Sequence, residues 1–215
     1  MTTLPPSVEI SETFVSLQGE STHSGQPCWF VRLAGCNLRC RYCDTVRAWG
    51  RGERRSVAGL VDEYRASGVA LAEITGGEPL LQPGFPALAV ALRDAGPGPL
   101  LVETNGACDL RLVPAGAIAI MDIKTPGSGE SERFDRENLR LLRPADEVKF
   151  VIASRADFDW AAALVRDERL ETRCAAVLVS PAAGLVAAAE LARWLLASRL
   201  PVRINLQLHR LVGMD

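Results

Sequence analysis

Apolar and β-branched residues recur along this chain in short runs, and segments of helical periodicity lie between most of them. The runs predict β-strands at residues 29–33, 70–75, 100–103, 117–123, 147–152, 175–179 and 202–208. Apolar residues at helical spacing predict helices at residues 57–66, 85–94, 158–167 and 185–197. An alternating segment at 13–20 predicts a further N-terminal strand that ends in a loop.

Alternating strands and helices are typical of a parallel sheet with helices packed on it. A full barrel of eight strand–helix units typically needs more than the 215 residues of this chain. We therefore predict the α/β class and a partial, shortened β/α barrel, with helices outside and the active site at the C-terminal strand ends. No linker divides the chain, so one domain is expected, with an N-terminal strand and loop at 1–27, a barrel core at 28–209 and a tail at 210–215.

Composition argues against several kinds of partner. The formal net charge is -2 and no run of five or more Lys or Arg residues occurs, so nucleic acid is not expected to bind. The apolar stretch at 185–200 is interrupted by Glu190 and Arg193 and falls short of a membrane span. With no signal-peptide pattern, six cysteines indicate thiols or metal ligands in a reducing compartment. We expect a cytoplasmic protein that does not bind membranes.

Polar clusters follow the predicted strands where each strand ends. They lie at residues 36–45, 75–79, 103–106, 122–124 and 180–181. The C-terminal ends of parallel strands share one rim, and in α/β proteins that rim carries the active site. Polar turns at strand ends are also ordinary, but a series of five clusters favours a functional site.

Three of the cysteines stand in one short segment. Cys36, Cys40 and Cys43 are separated by three and then two residues. Structural zinc requires four ligands, and neither histidine lies nearby in the sequence. Thiolates are the usual ligands of iron–sulfur clusters, and three of them on a 4Fe-4S cluster leave one iron open for chemistry. The remaining cysteines are interpreted as structural: Cys28, Cys108 and Cys174.

The cysteine spacing resembles the cluster motif of the radical S-adenosylmethionine enzymes, in which the open iron binds the amino and carboxylate groups of the cofactor. The segment Thr75-Gly76-Gly77-Glu78-Pro79 is similar to the glycine-rich motif of that superfamily, whose backbone approaches the methionine amino group. The resemblance implies S-adenosylmethionine as cofactor. Its implied contacts are Tyr42, Asp44, Gly77, Glu78, Glu103, Lys124 and Ser180.

Further segments resemble one family of that superfamily, the 7-carboxy-7-deazaguanine synthases. They are residues 17–20, 30–33, 43–45, 121–129, 146–152 and 205–209. The resemblance implies a carbon–nitrogen lyase of queuosine or deazapurine biosynthesis that converts 6-carboxy-5,6,7,8-tetrahydropterin to 7-carboxy-7-deazaguanine with loss of ammonia. A deoxyadenosyl radical takes hydrogen from the pterin in the implied mechanism. The implied partners are an electron donor such as flavodoxin or ferredoxin and a second copy of the chain.

The same resemblance implies a substrate pocket. Arg32 has inward parity in its strand, so it either grips the substrate carboxylate or forms a structural ion pair. Asn205, Gln207 and His209 share one face of the last predicted strand, which fits either a polar pocket wall or a solvated face. Glu20 is either a partner for the donor edge of the pterin or a solvated loop carboxylate. The implied substrate contacts are Leu17, Gln18, Gly19, Glu20, Arg32, Thr75 and His209.

Magnesium is a further implied cofactor, with Thr45 as the protein ligand. Two departures limit the resemblance. Ser21 stands where a second glycine often follows the Gln-Gly-Glu segment, and residues 210–215 do not align with the family.

Two alternatives remain open from the sequence. A glycyl-radical-enzyme activase shares the cysteine spacing and similar length, but it would lack the pterin-binding loop. A non-catalytic iron–sulfur electron carrier or structural metal module needs no pocket and would not cleave S-adenosylmethionine. Dependence on the pterin distinguishes a synthase from an activase.

Overall fold

The computed structural model describes residues 5–214, whose strands form one mixed sheet. The strands are β1 Ser7–Leu17, β2 Pro27–Leu33, β3 Glu53–Ser56, β4 Leu71–Gly76, β5 Leu100–Thr104, β6 Ala117–Asp122, β7 Glu147–Ile152, β8 Ala176–Pro181 and β9 Arg203–Ile204. The helices are α1 Val57–Ser67, α2 Phe85–Ala95, α3 Asn138–Leu141, α4 Arg155–Glu168, α5 Ala188–Ser198 and α6 Leu208–Leu211.

The strand order is β3-β1-β2-β4-β5-β6-β7-β8-β9. Every neighbouring pair from β2 through β4 to β9 is parallel, whereas β1 runs antiparallel to both β2 and β3. The sheet is not closed, because β3 and β9 lie at opposite ends of this order. The predicted α/β class and partial barrel are therefore confirmed.

Local sequence signals set the ends of the main helices. The Ser56 hydroxyl accepts a hydrogen bond from the backbone N–H of Gly59 and caps the start of α1. Gly68 ends the same helix in the left-handed conformation, with φ of 69°, which glycine adopts without a side-chain clash. Helix α4 begins in the same way at Ser154, whose hydroxyl accepts from the N–H of Asp157.

The two faces of the sheet differ in composition, because alternate residues of a strand point to opposite sides. One face packs in the main core with the helices; on β4 this face carries Ala72 and Ile74. The inner face holds a smaller apolar cluster near the start of the strands: Cys28, Phe30, Leu71, Leu101 and Ile120. Towards the C-terminal ends the inner face becomes polar, with Thr75, Glu103, Asp122, Lys149 and Ser180.

The last predicted strand is wrong beyond its third residue. β9 pairs with β8 over only two residues, and the chain then leaves the open edge of the sheet. The departure is fixed where the backbone N–H of Leu208 donates to the carbonyl oxygen of Gly19 at 2.8 Å, and α6 begins at Leu208. The prediction that Asn205, Gln207 and His209 share one strand face is therefore also wrong.

The remaining predicted strands and helices are confirmed with small shifts at their ends. β3 was not predicted, because its sequence Glu-Arg-Arg-Ser has no apolar residue. It is an edge strand whose partner is the first part of β1, and β1 consequently begins at Ser7 rather than at residue 13. A charged sequence of this kind is common on exposed sheet edges, where it discourages pairing with other chains.

Some predicted boundaries concern the ends of the chain. Residues 1–4 of the predicted N-terminal segment and Asp215 of the predicted tail lie outside the described residues. The predicted start of the tail at Arg210 falls inside α6. No helix within residues 5–214 is long and apolar enough to cross a membrane.

Leucines at two positions test the packing of the helices. Leu88 of α2 is 0% exposed, whereas Leu196 of α5 is 79% exposed. We expect Leu88→Ala to lower the free energy of unfolding by about 2–5 kcal/mol, because it leaves a cavity in the core. Leu196→Ala is the matched control and should change it by less than about 0.5 kcal/mol. Urea unfolding of both variants measures the difference, and equal losses would contradict the packing described here.

Candidate active site

One cavity of about 610 Å³ opens at the C-terminal ends of the parallel strands. Its volume falls in the range of small-molecule sites. Every residue that the sequence analysis named as a cluster, cofactor, substrate or magnesium contact lines this cavity, with the single exception of Glu78. The fold therefore brings together residues from β1 and the loop that follows it, from the cysteine segment, from six parallel strands and from α6.

The three cysteines of the triplet lie in the segment that follows β2. Cys36, Cys40 and Cys43 all line the cavity, and the Sγ of Cys36 accepts a hydrogen bond from the backbone N–H of Leu38 at 3.4 Å. Burial raises the pKa of Cys36, and it raises the pKa of Cys40 to about 11. Bound metal is what favours the thiolate form in such surroundings.

The three cysteine thiols suit an iron–sulfur cluster better than a single metal ion. Within residues 5–214, no three His, Cys, Asp or Glu side chains are arranged to hold a single metal ion. An iron–sulfur cluster is wider than a single ion, and thiolates are its usual ligands. Three free cysteines on one cavity wall therefore fit a cluster better than a lone metal ion.

The glycine motif packs directly on the cysteine segment. The backbone N–H of Gly77 donates to Leu33 at 3.1 Å, and that of Glu78 donates to the carbonyl oxygen of Gly35 at 2.8 Å. A Cβ atom on Gly77 would lie 2.2 Å from that Gly35 oxygen. Glycine is thus required here because two protein segments approach each other closely, and this contact holds the motif beside the cysteines.

Glu78 is not among the residues that line the cavity, and its predicted contact with the cofactor stays a prediction. It is fully buried, and its carboxylate accepts from the Thr104 hydroxyl at 2.8 Å and from the Asn105 backbone N–H at 2.7 Å. Burial raises the pKa of Glu78 to about 7. The Asn105 side chain donates to Asn37 of the cysteine segment at 2.9 Å. Glu78 therefore fixes the loop after β5, which in turn contacts the cysteine segment.

A cluster of charged side chains, here called the polar floor, lines the cavity and consists of Glu20, Glu103, Asp122, Lys124 and Lys149. Lys149 is at its centre, although the sequence analysis did not select this residue. Its ammonium group is 2.7 Å from Glu20, 3.3 Å from Asp122 and also in contact with Glu103. Lys124 binds the same Oδ2 atom of Asp122 at 2.9 Å. One sequence feature could have indicated Lys149: it is a lysine in an otherwise largely apolar strand, at a position whose side chain points to the inner face of the sheet.

Opposite charges shift the pKa values of this floor strongly. Burial disfavours the charged form of Lys149, but the carboxylates of Glu103, Glu20 and Asp122 outweigh it and raise its pKa well above the usual value. Burial likewise opposes ionisation of Glu103, yet the Lys149 ammonium lowers the pKa of that carboxyl to about 2. Lys149 and Glu103 are therefore both charged at neutral pH.

The 18–26 loop joins β1 to β2 and lies against the inner face of the barrel. Its ends are tied by a hydrogen bond from the N–H of Gln18 to the carbonyl oxygen of Gln26 at 2.8 Å. Ser21 has a φ of 62°, in the left-handed region that glycine adopts most readily. This conformation explains why glycine suits the position at which the sequence departs from the family.

Arg32 forms the ion pair that its sequence position left open, while the predicted contact with a substrate carboxylate stays a prediction. Its guanidinium lines the cavity, and its Nε atom is 2.7 Å from a carboxylate oxygen of Glu12. Arg47 reaches the same oxygen at 2.7 Å, and the Phe14 ring lies 5.8 Å from the Arg32 guanidinium. Glu12 therefore fixes the direction of Arg32 at the cavity mouth.

The C-terminal segment reaches the cavity although it is not a strand. Gln207 donates to Glu20 at 2.9 Å and to Asp44 at 3.2 Å. Arg210 also binds Asp44, at 2.9 Å, so the unaligned tail contributes a cation to the cavity mouth. His209 packs so closely on the 18–26 loop that a Cβ on Gly19 would lie 1.7 Å from its Nδ1 atom.

The other predicted residues have local partners on the cavity wall. Thr75 donates to Glu103 at 2.9 Å, and Thr45 donates to Asp44 at 3.0 Å. The Tyr42 hydroxyl donates to the backbone oxygen of residue 151 at 3.3 Å, and burial raises the pKa of Tyr42 to about 12. The Ser180 hydroxyl accepts from the side chain of residue 205 at 2.8 Å. These bonds hold the wall in one arrangement.

Comparisons with known proteins agree with this geometry. The radical SAM superfamily matches residues 31–126, which contain the cysteine triplet and the glycine motif. The fold and the cysteine-lined cavity thus define a protein of the radical SAM class. A solved structure of QueE from Escherichia coli has the same fold, with a TM-score of 0.74, 22% identity and coverage of 94% of this chain and 95% of that one.

Two relatives named 7-carboxy-7-deazaguanine synthase match almost the whole chain. The protein of Koribacter versatilis is 40% identical over 95% of this chain and 96% of its own length. That of Chlorobaculum tepidum is 41% identical, with coverage of 95% and 94%. The chain belongs to the 7-carboxy-7-deazaguanine synthase family, and the predicted family and enzyme class are confirmed. The comparisons support neither the activase nor the electron-carrier alternative.

One buried acid of the cavity gives a pH-dependent prediction. Burial and the nearby Glu103 carboxylate raise the pKa of Glu73 to about 8, whereas a Glu in an unfolded chain titrates near about 4.3. The folded state thus binds this proton more tightly, and stability is lost as the pH rises through the folded pKa. Relative to Glu73→Gln, we expect the wild type to lose stability between about pH 5 and about pH 9. Urea unfolding of the cluster-free proteins tests this, and a pH-independent difference would contradict it.

Proposed function

We propose that this protein converts 6-carboxy-5,6,7,8-tetrahydropterin to 7-carboxy-7-deazaguanine with loss of ammonia, in queuosine or another deazapurine pathway. The observation that supports the proposal is the shared cavity, whose lining includes both the cysteine triplet and the Leu17–Glu20 segment. The relatives that match nearly the whole chain bear the name of this activity. We infer that residues 28–209 form the catalytic core of a single domain.

Cys36, Cys40 and Cys43 would hold a 4Fe-4S cluster, with S-adenosylmethionine beside it. When bound, these two groups supply the hydrogen-abstracting chemistry, which no side chain of the cavity provides. The chain contributes positions for the cofactor's polar groups. Among the described residues, the Oδ1 atom of Asp122 is buried without a hydrogen-bond partner. An open acceptor on the cavity wall suits a hydroxyl or ammonium group of the ligand. The other oxygen of this carboxylate, Oδ2, is bound by Lys124 at 2.9 Å.

The remaining cavity residues fit a flat, carboxylate-bearing pterin. Glu12 holds the Nε of Arg32 at 2.7 Å, and the other nitrogens of a guanidinium can bind a substrate carboxylate. The two oxygens of Glu20 already bind Lys149 and Gln207, at 2.7 Å and 2.9 Å. A carboxylate accepts about four hydrogen bonds, so Glu20 retains capacity for the donor edge of the pterin ring.

Three further assignments extend the proposal. An electron donor such as flavodoxin or ferredoxin would reduce the cluster from the side of the cysteine segment, where Arg39 and Arg41 are exposed. Magnesium would bind at Thr45, whose hydroxyl lies on the cavity wall. We also propose a cytoplasmic homodimer. These assignments rest on the family and on the chemistry of the cavity.

Replacement of one cluster cysteine tests the activity. We expect reconstituted wild type, incubated anaerobically with dithionite, S-adenosylmethionine, magnesium and the pterin, to form 7-carboxy-7-deazaguanine. Cys40→Ala should lose the cluster absorbance and all product, because three ligands hold the cluster. Cys174→Ala is the matched control, since the thiol of Cys174 bonds to backbone carbonyls away from the cavity. Deoxyadenosine without product in the wild type would refute the proposed substrate.

The magnesium assignment is tested at Thr45. We expect Thr45→Val to reduce the stimulation of product formation by magnesium, because valine keeps the shape and removes the oxygen ligand. Thr172→Val is the control, since Thr172 lies in an exposed turn and bonds to the backbone of residue 169. Product rates are measured over a magnesium titration. The same stimulation in Thr45→Val and wild type would rule out this ligand.

A further inference from the structure

The 18–26 loop is held from the inner face of the barrel by two buried acids. Glu73 of β4 accepts a hydrogen bond from the side-chain Nε2 of Gln18 at 2.6 Å. Glu147 of β7 accepts from the backbone N–H of Thr22 at 3.1 Å and also from the hydroxyl of that residue. The two acids lie on different strands, so they hold the loop at two separate positions, Gln18 and Thr22.

Both the nitrogen and the oxygen of the Gln18 side-chain amide form hydrogen bonds. The side chain is 3% exposed; its nitrogen donates to Glu73, and its oxygen accepts from the backbone N–H of Glu20. The amide therefore links a strand of the barrel to the backbone of the Gly19–Glu20 segment. A glutamine committed in this way supports the loop from behind and leaves substrate contacts to its neighbours.

Glu73 occupies a buried position where a carboxyl group is unfavourable. It shares the inner face of the sheet with the apolar cluster of Phe30, Leu101 and Ile120, and it is 3% exposed. Burial of a carboxyl group in such surroundings is unfavourable unless it is hydrogen-bonded. The charged groups nearest to it are Glu103, Lys149 and Glu20, which belong to the polar floor. An acid at this place is thus explained by the bond that it makes to Gln18.

We propose that Glu73 is a positioning residue that fixes the 18–26 loop through Gln18, so that Gly19 and Glu20 face the substrate in one arrangement. This role in the reaction rests on the proposed function. The conformation of the loop is also coupled to the polar floor, because Glu20 binds Lys149 at 2.7 Å. Release of Gln18 would free the backbone of Glu20 and disturb that ion pair.

Two substitutions separate the bond from the volume of the side chain. Glu73→Gln keeps an acceptor oxygen for Gln18, whereas Glu73→Leu keeps the size and removes the acceptor. Hydrogen exchange of the ligand-free protein should be at least about tenfold faster for the 18–26 amides in Glu73→Leu, as expected for loss of a buried hydrogen bond. Exchange in β7 and β8 should remain unchanged, and Glu73→Gln should resemble wild type throughout.

Steady-state kinetics then tests the link to the substrate. We expect Glu73→Leu to raise the KM for the pterin by about tenfold and to release more deoxyadenosine per product, because the substrate is held less well. Glu73→Gln should stay within about threefold of wild type. Glu53→Leu makes the same chemical change at an exposed residue of β3 and serves as the control.

The outcomes are distinguishable. Unchanged exchange of the loop in Glu73→Leu, or equally faster exchange over the whole sheet, would overturn the positioning role. Faster loop exchange with an unchanged KM would confine Glu73 to a structural role and would also overturn the proposal. If the wild type makes no product, the proposed substrate fails, and the exchange measurement still decides whether Glu73 holds the loop.

Discussion

The cavity depends on the buried ammonium group of Lys149. It binds carboxylates from three separate elements, namely Glu20 of the 18–26 loop, Glu103 of β5 and Asp122 of β6. Without a cation, carboxylates this close would repel one another and take up protons. Removal of one partner from a buried ion pair typically costs about 3–5 kcal/mol, because the other charges are left uncompensated. Lys149 therefore makes a charged floor compatible with a folded barrel, and it fixes the loop relative to the strands.

Local sequence patterns predicted most of the strands and helices. Each element buries one face, and this burial produces a regular spacing of apolar residues along the sequence. The cysteine triplet was also identified from the sequence, since all three cysteines lie in one short segment. Lys149 was not found, because its role depends on carboxylates 129 and 46 residues away in the chain. The contact of Arg210 with Asp44 spans 166 residues, and nothing in the tail sequence indicates it. Such contacts are consequences of the topology and not of local composition.

One prediction failed for a reason that is specific to its place in the fold. The alternation of polar and apolar residues after Ile204 suggested a strand, but the open edge of the sheet offers no further partner beyond β8. Glu78 was predicted as a cofactor contact from a motif that the superfamily shares, and that contact stays a prediction. Its carboxylate accepts hydrogen bonds from three donors. Two of these donors belong to Thr104 and Asn105, which lie 26 and 27 residues further along the chain, so the local sequence around Glu78 does not indicate them.

The two halves of the cavity differ in how complete they are before a ligand binds. On the side of Arg32 and Glu20 the charges are already paired, and the Arg32 guanidinium can keep Glu12 on one nitrogen and bind a carboxylate with the others. Binding on this side therefore adds contacts without breaking existing ones, which lowers its cost. On the cysteine side, Asp122 keeps a buried oxygen that lacks a hydrogen-bond partner among residues 5–214. A buried acceptor in this state is unfavourable until a donor reaches it. A ligand that donates a hydrogen bond to this oxygen would remove that cost, so we expect ligand binding to stabilise this half of the cavity.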